Sequence, residues 1–277
     1  MRKLFLLSIM AIAMNTAYSQ WNFIQYLREN VVKTCFLSAN TGYYASHFSA
    51  IHCNTYTIYK TTDAWNTSTA MYSHGENYYP DYLTDMCFLN ETTGFKLCGN
   101  MFLGVSKTTD GGSSWTDVPN NTYLWDVSKI SYPNENLGYY LASRDYQSSL
   151  INVIVSNNGF CTVDSLSDLY RNAYEIDFVN DSTGFIFCRD TAQNYICIQS
   201  TDSAKTWNTV LTSGPEKLMN IQFASPHTGY IAGRNGTLYK SVDSGQNWNP
   251  IATNASQLVN SLYFVNDSTG FLACNNG

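Results

Sequence analysis

Residues 229–248 read GYIAGRNGTLYKSVDSGQNW, and this one stretch carries both signals that decide the fold. Its first half opens on Gly-aromatic at the head of an apolar strand. Its second half, from Ser241 to Trp248, follows the pattern Ser/Thr-x-Asp-x-Gly-x-x-Trp. Physically that pattern is a self-contained hairpin turn. The Asp carboxylate accepts backbone N–H bonds within the turn, Gly supplies a positive φ, and Trp packs back against the preceding strand.

Both signals recur along the chain, and fixed-period recurrence is the signature of a repeat architecture. The strand–polar turn–Gly-aromatic element appears as CFLSANTGYYAS (35–46), CFLNETTGFKLC (87–98) and ISYPNENLGYYLAS (130–143). It returns as IDFVNDSTGFIFC (176–188), IQFASPHTGYIAG (221–233) and LYFVNDSTGFLAC (262–274). The second element follows as KTTDGGSSW (107–115), with Asp110 and Trp115, and as KSVDSGQNW (240–248), with Asp243 and Trp248. QSTDSAKTW (199–207), with Asp202 and Trp207, is slightly worn; KTTDAW (60–65), with Asp63, reads as shortened; VSNNGF (155–160) has lost both Asp and Trp.

These residues resemble the Asp-box, or BNR, repeat. Combined with the Thr-Gly-aromatic hairpin they are most similar to the propeller repeat of the photosystem II stability/assembly factor family. The resemblance spans nearly the whole chain after its first residues and implies an all-β propeller of four-stranded blades, with about six units visible. It is specific for fold and not for activity, since one fold hosts many functions. The sequence WNFI (21–24) matches the outer strands that follow the Asp-box Trp elsewhere, so it is expected to form the outermost strand of the last blade. That last unit stops at Gly277 before a third strand, and is expected to be incomplete or truncated, with a C-terminal domain conceivably missing.

Residues 1–19 read as a secretory signal peptide, with Arg2 and Lys3, an apolar run from Leu4 to Ala13, and a small-x-small site at Ala17-Tyr18-Ser19. The run is too short to span a bilayer, and the expected mature domain is residues 20–277, exported to the periplasm, cell surface or medium. Removing Arg2 and Lys3 leaves 13 basic against 21 acidic residues, a net charge of −8. Nucleic acid and anionic membrane surfaces are therefore poor partners. With 44% hydrophobic and 13% charged residues, the chain is neither disordered nor a coiled coil. Eight cysteines show no C-x-x-C pair and no zinc-like spacing. In an oxidising compartment Cys87/Cys98 and Cys188/Cys197 are conceivable cross-strand bridges; otherwise they are small buried hydrophobes.

In a four-stranded blade the Asp-box occupies the third-to-fourth-strand turn, and its carboxylate is spent on that turn. The opposite face carries the second-to-third turns. There Arg144, Arg189 and Arg234 follow the second strand of successive blades, five or six residues after the repeat Gly. Symmetry should bring them to one side, and their planar forks suit carboxylate or phosphate. The assembly-factor family is similar in carrying an Arg patch on one propeller face. The bland alternative is solvated turn residues, or ion pairs with Asp145 and Asp190. Aromatic loop residues (Tyr78, Tyr79, Tyr82, Tyr123, Trp125, Tyr170, Tyr174) either add contact surface or pack between blades. The expected function is a non-catalytic binding or scaffold module for a protein or acidic ligand, with no cofactor or metal. A sialidase-like glycoside hydrolase is the alternative, since Asp-boxes occur there. This chain lacks the Arg-Ile-Pro opening and a Tyr–Glu pair, and no G-x-S-x-G, P-loop or H-E-x-x-H motif is present.

Overall fold

In the computed structural model the repeats form an all-β propeller. The structure describes residues 7–15, 18–27, 31–38, 40–50, 53–64, 66–76, 82–99, 104–118, 127–143, 151–157, 160–165, 170–253 and 259–275. Six four-stranded antiparallel sheets are present among them. Blade 1 comprises β3 (Val31–Phe36), β4 (Gly42–Ala50), β5 (Cys53–Thr61) and β6 (Thr69–Glu76). Blade 2 follows with β7 (Tyr82–Phe88), β8 (Gly94–Gly99), β9 (Gly104–Thr108) and β10 (Thr116–Asp117), and blade 3 with β11 (Val127–Ser131), β12 (Leu137–Ser143), β13 (Ile151–Asn157) and β14 (Phe160–Ser165). Blade 4 holds β15 (Arg171–Phe178), β16 (Gly184–Arg189), β17 (Tyr195–Ser200) and β18 (Asn208–Gly214). Blade 5 holds β19 (Leu218–Phe223), β20 (Gly229–Gly233), β21 (Leu238–Ser241) and β22 (Asn249–Pro250).

The sixth sheet is built from both ends of the chain. Its inner strands are β23 (Val259–Asn266) and β24 (Thr269–Asn275), and its outer strands are β1 (Leu7–Asn15) and β2 (Tyr18–Leu27). The WNFI segment thus lies in the outermost strand, as its pattern predicts. The expected gap in this blade is instead filled by β1, which pairs antiparallel with β24 from Leu7–Asn275 to Ile12–Gly270. The innermost strands touch in succession around the ring, and β23 returns to β3, where Phe36 stacks on Tyr263 at 5.2 Å and 19°.

The repeated residues form the joints between blades. In blades 1 to 5 the aromatic after the repeat Gly stacks on the aromatic at the end of the next blade's inner strand. Tyr43 lies on Phe88 at 3.6 Å, Phe95 on Tyr132 at 3.6 Å, Tyr139 on Phe178 at 3.4 Å and Tyr230 on Phe264 at 3.4 Å, all within 5° of parallel. The Gly is needed because the inner-strand ring lies against its Cα: a Cβ on Gly94 would sit 2.5 Å from Phe88. The turn Trp then closes the edge, with Trp115 at 79° to Phe88 and Trp207 at 90° to Phe178. Such stacked and edge-on pairs add about 0.5–1.5 kcal/mol each beyond their buried area.

A second set of joints lines the inner strands. The Phe88 N–H donates to Cys35 Sγ at 3.3 Å, the Ile130 N–H to Asp85 Oδ2 at 3.1 Å and the Phe178 N–H to Ser131 Oγ at 2.8 Å. Gln222 Nε2 donates to the Phe264 carbonyl at 3.2 Å, and its Oε1 accepts from the Phe264 N–H. Each clasp binds one inner strand to the next.

The conceived disulfides are not formed. Cys188 lies opposite Ile196 and Cys197 opposite Phe187, an offset of one residue that sends the two side chains to opposite sheet faces. Cys188 accordingly packs with Ile186 and Cys197 with Leu218 in separate cores. Cys87 and Cys98 show the same parity, opposite Phe95 and Leu83, and also pack in different layers.

Candidate functional site

The four Ser/Thr-x-Asp turns share one geometry. Asp110 accepts from the Ser114 N–H at 2.9 Å, the Ser114 hydroxyl at 2.6 Å and the Thr108 hydroxyl at 2.8 Å. Asp202 makes the same three contacts with Thr206 and Ser200, and Asp243 makes them with Asn247 and Ser241. The indole N–H of Trp115, Trp207 and Trp248 donates to the carbonyl three residues back, at 3.0–3.1 Å. Asp63 is not shortened in this respect: it accepts from the Thr67 N–H at 2.9 Å and the Thr67 and Thr61 hydroxyls. Hydrogen bonds from the residue four places on hold Asp110, Asp202 and Asp243 at about 2 and lower Asp63 as well. All four carboxylates are occupied within their own turns.

The opposite face differs in kind. Arg189 ends β16 and enters the second-to-third turn of blade 4, while Arg234 opens the corresponding 3-10 turn (Arg234–Gly236) of blade 5. Antiparallel alternation puts these turns, and the connections that enter each inner strand, on the face opposite the Asp turns. Lys217 stands in such a connection, immediately before β19, and its carbonyl accepts from the Arg234 N–H at 3.0 Å. Its ammonium lies 4.5 Å from the ring centre of Tyr174. Tyr174 meets Tyr195 edge-on at 6.0 Å and 84°, and the Arg189 guanidinium covers Tyr195 at 4.4 Å. A continuous cation–aromatic row, Lys217–Tyr174–Tyr195–Arg189, therefore crosses from blade 5 to blade 4, with exposed Arg234 beside it.

Neutral groups hold these cations. Arg189 donates to Gln193 Oε1 at 3.1 Å and to the Tyr195 hydroxyl. Asp190 does not pair with it; that carboxylate accepts from the Asn194 backbone and side chain, both at 2.9 Å. Glu216 accepts from Asn235 at 3.0 Å. Among the described residues neither Arg189 nor Arg234 has an ion pair. Burial pushes the Lys217 ammonium below its ordinary value, and the nearby charges of Arg234, Lys129 and Arg189 push it further. The Tyr174 hydroxyl is buried without a hydrogen-bond partner among the described residues.

Arg144, Asp145, Tyr78, Tyr79, Tyr123 and Trp125 lie outside the described residues, and so does the side chain of Tyr82. Tyr170 packs into the blade 4 core, its hydroxyl on the Trp207 carbonyl at 3.2 Å. Lys217 and Tyr195 escape a reading based on repeats because neither belongs to a repeated motif. The signal for Lys217 is topological: the connection before an inner strand shares a face with the Arg-bearing turns. Among the described residues no group of His, Cys, Asp and Glu is arranged to hold a metal, and no helix is long and apolar enough to cross a membrane.

A ring of four-stranded blades with Asp turns on one face and a cationic–aromatic row on the other defines a β-propeller. The expected likeness to the photosystem II assembly-factor propellers holds in three dimensions. YCF48 bound to D1 peptide is 14% identical, with a TM-score of 0.62 over 96% of each chain. YCF48 from Cyanidioschyzon merolae is 12% identical, with a TM-score of 0.59 over 98% of this chain and 94% of its own. A GH74 xyloglucanase from Xanthomonas campestris is 11% identical, with a TM-score of 0.61 over 90% of this chain but 44% of its own. At these identities the likeness is one of fold. No family model and no curated protein matches the sequence.

Proposed function

We propose that the protein is an exported, non-catalytic propeller that binds an acidic segment of a protein partner on the face carrying Arg189, Lys217 and Arg234. One observation carries the reading. Lys217 and Arg189 lie over Tyr174 and Tyr195 with Arg234 beside them, while the neighbouring carboxylates Asp190 and Glu216 are engaged by asparagines. In a chain of net charge −6 such a patch is a local feature set against the overall field. A carboxylate-bearing segment supplies the missing counter-charge, and guanidinium forks hold it bidentately. Arg144 belongs to the same proposal by repeat position. That a similar propeller was solved with a peptide bound is compatible with this use of the fold.

The glycosidase alternative has the same fold among its neighbours, but its chemistry needs two carboxyl groups flanking the scissile bond. On the cationic face Asp190 and Glu216 are committed to asparagine amides, which favours binding over hydrolysis. The direct test is an Arg144→Gln/Arg189→Gln/Arg234→Gln variant titrated with a fluorescent acidic peptide at rising salt. Salt-sensitive binding by the wild type that falls at least tenfold in a variant of unchanged Tm supports the reading. Equal binding in the two contradicts it.

Export has its own test. Residues 7–15 cannot both be removed with a leader and remain as β1. Mass spectrometry of the exported protein decides between them: Gln20 at its N-terminus supports a cleaved leader, whereas an intact Met1 keeps those residues in the sixth blade.

A further inference from the structure

Five of the inner strands bring charged or polar side chains to the centre of the ring, and their charges do not cancel. Lys33 Nζ meets Asp85 Oδ1 at 2.5 Å, and Lys129 Nζ meets Glu175 Oε2 at 3.1 Å. Burial opposes the Lys33 charge, but Asp85 and then Glu175 outweigh it and keep the ammonium protonated. Asp177 is the third carboxylate. The Ser131 hydroxyl reaches it only at 3.4 Å, and among the described residues it has no ion pair. The facing strand β19 offers the neutral side chains Asn220 and Gln222, both turned toward β23.

Asp177 occupies the register position at which Cys35, Ser131 and Gln222 clasp the next blade, yet it makes no such bond among the described residues. The joint between blades 4 and 5 is correspondingly loose. Phe185 and Phe223 are 5.0 Å apart at 22°, where the other repeat stacks are 3.4–3.6 Å and nearly parallel. A cavity of about 410 Å3 opens there on the Asp-turn face, lined by Asp177, Val179, Asn180, Phe223, Ser225 and Pro226 among others.

We propose that this cavity is a binding site for a primary alkylammonium group, with Asp177 as its counter-ion and Phe223, Val179 and Pro226 around the alkyl stem. The polar lining favours a cation over an anion or a neutral sugar. Asn180 Oδ1 already accepts from the Ser182 and Thr183 N–H groups, and Ser225 Oγ from the Thr228 N–H. Gln222 is spent on Phe264. The free acceptor capacity is thus the carboxylate of Asp177, with an aromatic ring beside it, which suits an ammonium donor. A hard divalent ion requires six or more oxygen ligands or several retained waters, and one carboxylate does not supply them. The site lies on the face opposite the cationic row and is independent of it.

The pH dependence follows from the same surroundings. Burial, then Glu175, raises the Asp177 carboxyl to about 7, with Lys33 and Ser131 pulling it down and Asp85 adding to the rise. Only the ionised form pairs with an ammonium, so affinity rises with pH through that value. Between pH 8.5 and 5.5 the competent fraction, and the affinity with it, falls roughly 30-fold. Titration of the whole protein with n-butylammonium and with N-acetyl-lysinamide, followed by NMR, tests the site; N-acetyl-norleucinamide is the neutral control. Saturable shifts at Asp177, Phe223 and Ser225 at pH 8.5, lost at pH 5.5 and in Asp177→Asn, are expected. Binding of the lysine amide alone would assign the ammonium to a partner's lysine, and binding of both to a free amine. In the wild type the ligand should also lower the Asp177 titration midpoint, a readout that stands even if Asp177→Asn misfolds. No saturable shift at pH 8.5, an unmoved midpoint, or equal binding by a folded Asp177→Asn variant would overturn the proposal.

Discussion

The joint between blades 1 and 2 and the joint between blades 4 and 5 are made from the same repeat and end in opposite states. At the first, Lys33 and Asp85 are paired, Cys35 clasps Phe88, and Tyr43 lies flat on Phe88 with its hydroxyl on the Glu91 carbonyl at 2.9 Å. Buried Lys96 crosses the same joint, donating to the Tyr56 hydroxyl at 2.9 Å and lying 4.2 Å from the centre of Tyr72 and 5.1 Å from that of Trp115. At the second joint Phe185 stands where blade 1 has Tyr43, its stack is splayed, and Asp177 has no ion pair among the described residues. The repeat therefore dictates the backbone, while single substitutions within it decide whether a joint is sealed or becomes a cavity.

The largest difference between the joints should appear on removing a buried charge partner. Asp85→Ala strands Lys33 and frees the Ile130 N–H, and should cost about 3–5 kcal/mol in urea unfolding. Asp177→Asn removes a carboxylate that has no ion pair among the described residues, and should leave stability below about pH 4, where Asp177 is neutral in both states, nearly unchanged. A comparable loss from both substitutions would erase the distinction.

Glycine replacements should sharpen it. A Cβ at Gly94 meets Phe88, which is pinned by Tyr43 on one face and Trp115 at its edge. A Cβ at Gly229 meets Phe223 at 2.7 Å; that ring is also edged by Trp248, but its stack on Phe185 is wider and its other side borders the cavity. Gly94→Ala should cost about 2–3 kcal/mol and Gly229→Ala about 1 kcal/mol, within the usual range for overpacking. The reverse order in paired thermal melts would show that the second joint is as rigid as the first.

The pH slopes of the two kinds of carboxylate have opposite signs. Asp177 titrates at about 7 in the folded protein and near 3.9 when unfolded, so the folded state binds the extra proton between those values. Its contribution is present below about pH 4 and is lost as pH rises toward 7; Asp177→Asn should abolish that slope. Asp110, Asp202 and Asp243 titrate at about 2 when folded, so their stabilisation is present above about pH 4 and is lost as pH falls toward 2. Asp110→Ala should lower Tm at pH 7 and flatten the acid limb.

Most of the fold could be read from the sequence because its joints use residues that repeat. The Gly-aromatic pair, the turn Asp and the turn Trp each have a contact that recurs blade after blade. What escaped the reading depends on parity or on neighbours. The cysteine pairs flank turns in sequence, but a one-residue offset places them on opposite faces, and spacing alone does not reveal that offset. The third strand of the sixth sheet comes from residues 7–15, whose apolar run also fits an export leader. At the candidate site, Arg189 and Arg234 were found by symmetry. Lys217 and Tyr195 needed the packing of two blades to be seen, and Asp177 stands out only beside the clasps of the other inner strands.

The functional reading is tested most directly by mapping where an acidic peptide perturbs the folded protein. Amide shifts on adding the peptide at low salt should cluster at Arg189, Tyr195, Lys217 and Arg234, on the second-to-third-turn face, and collapse at high salt. Residues 108–115 and 241–248, the Asp turns of blades 2 and 5, should not move. Shifts confined to those turns, or shifts that persist unchanged at high salt, would contradict the assignment of the cationic row as the binding face.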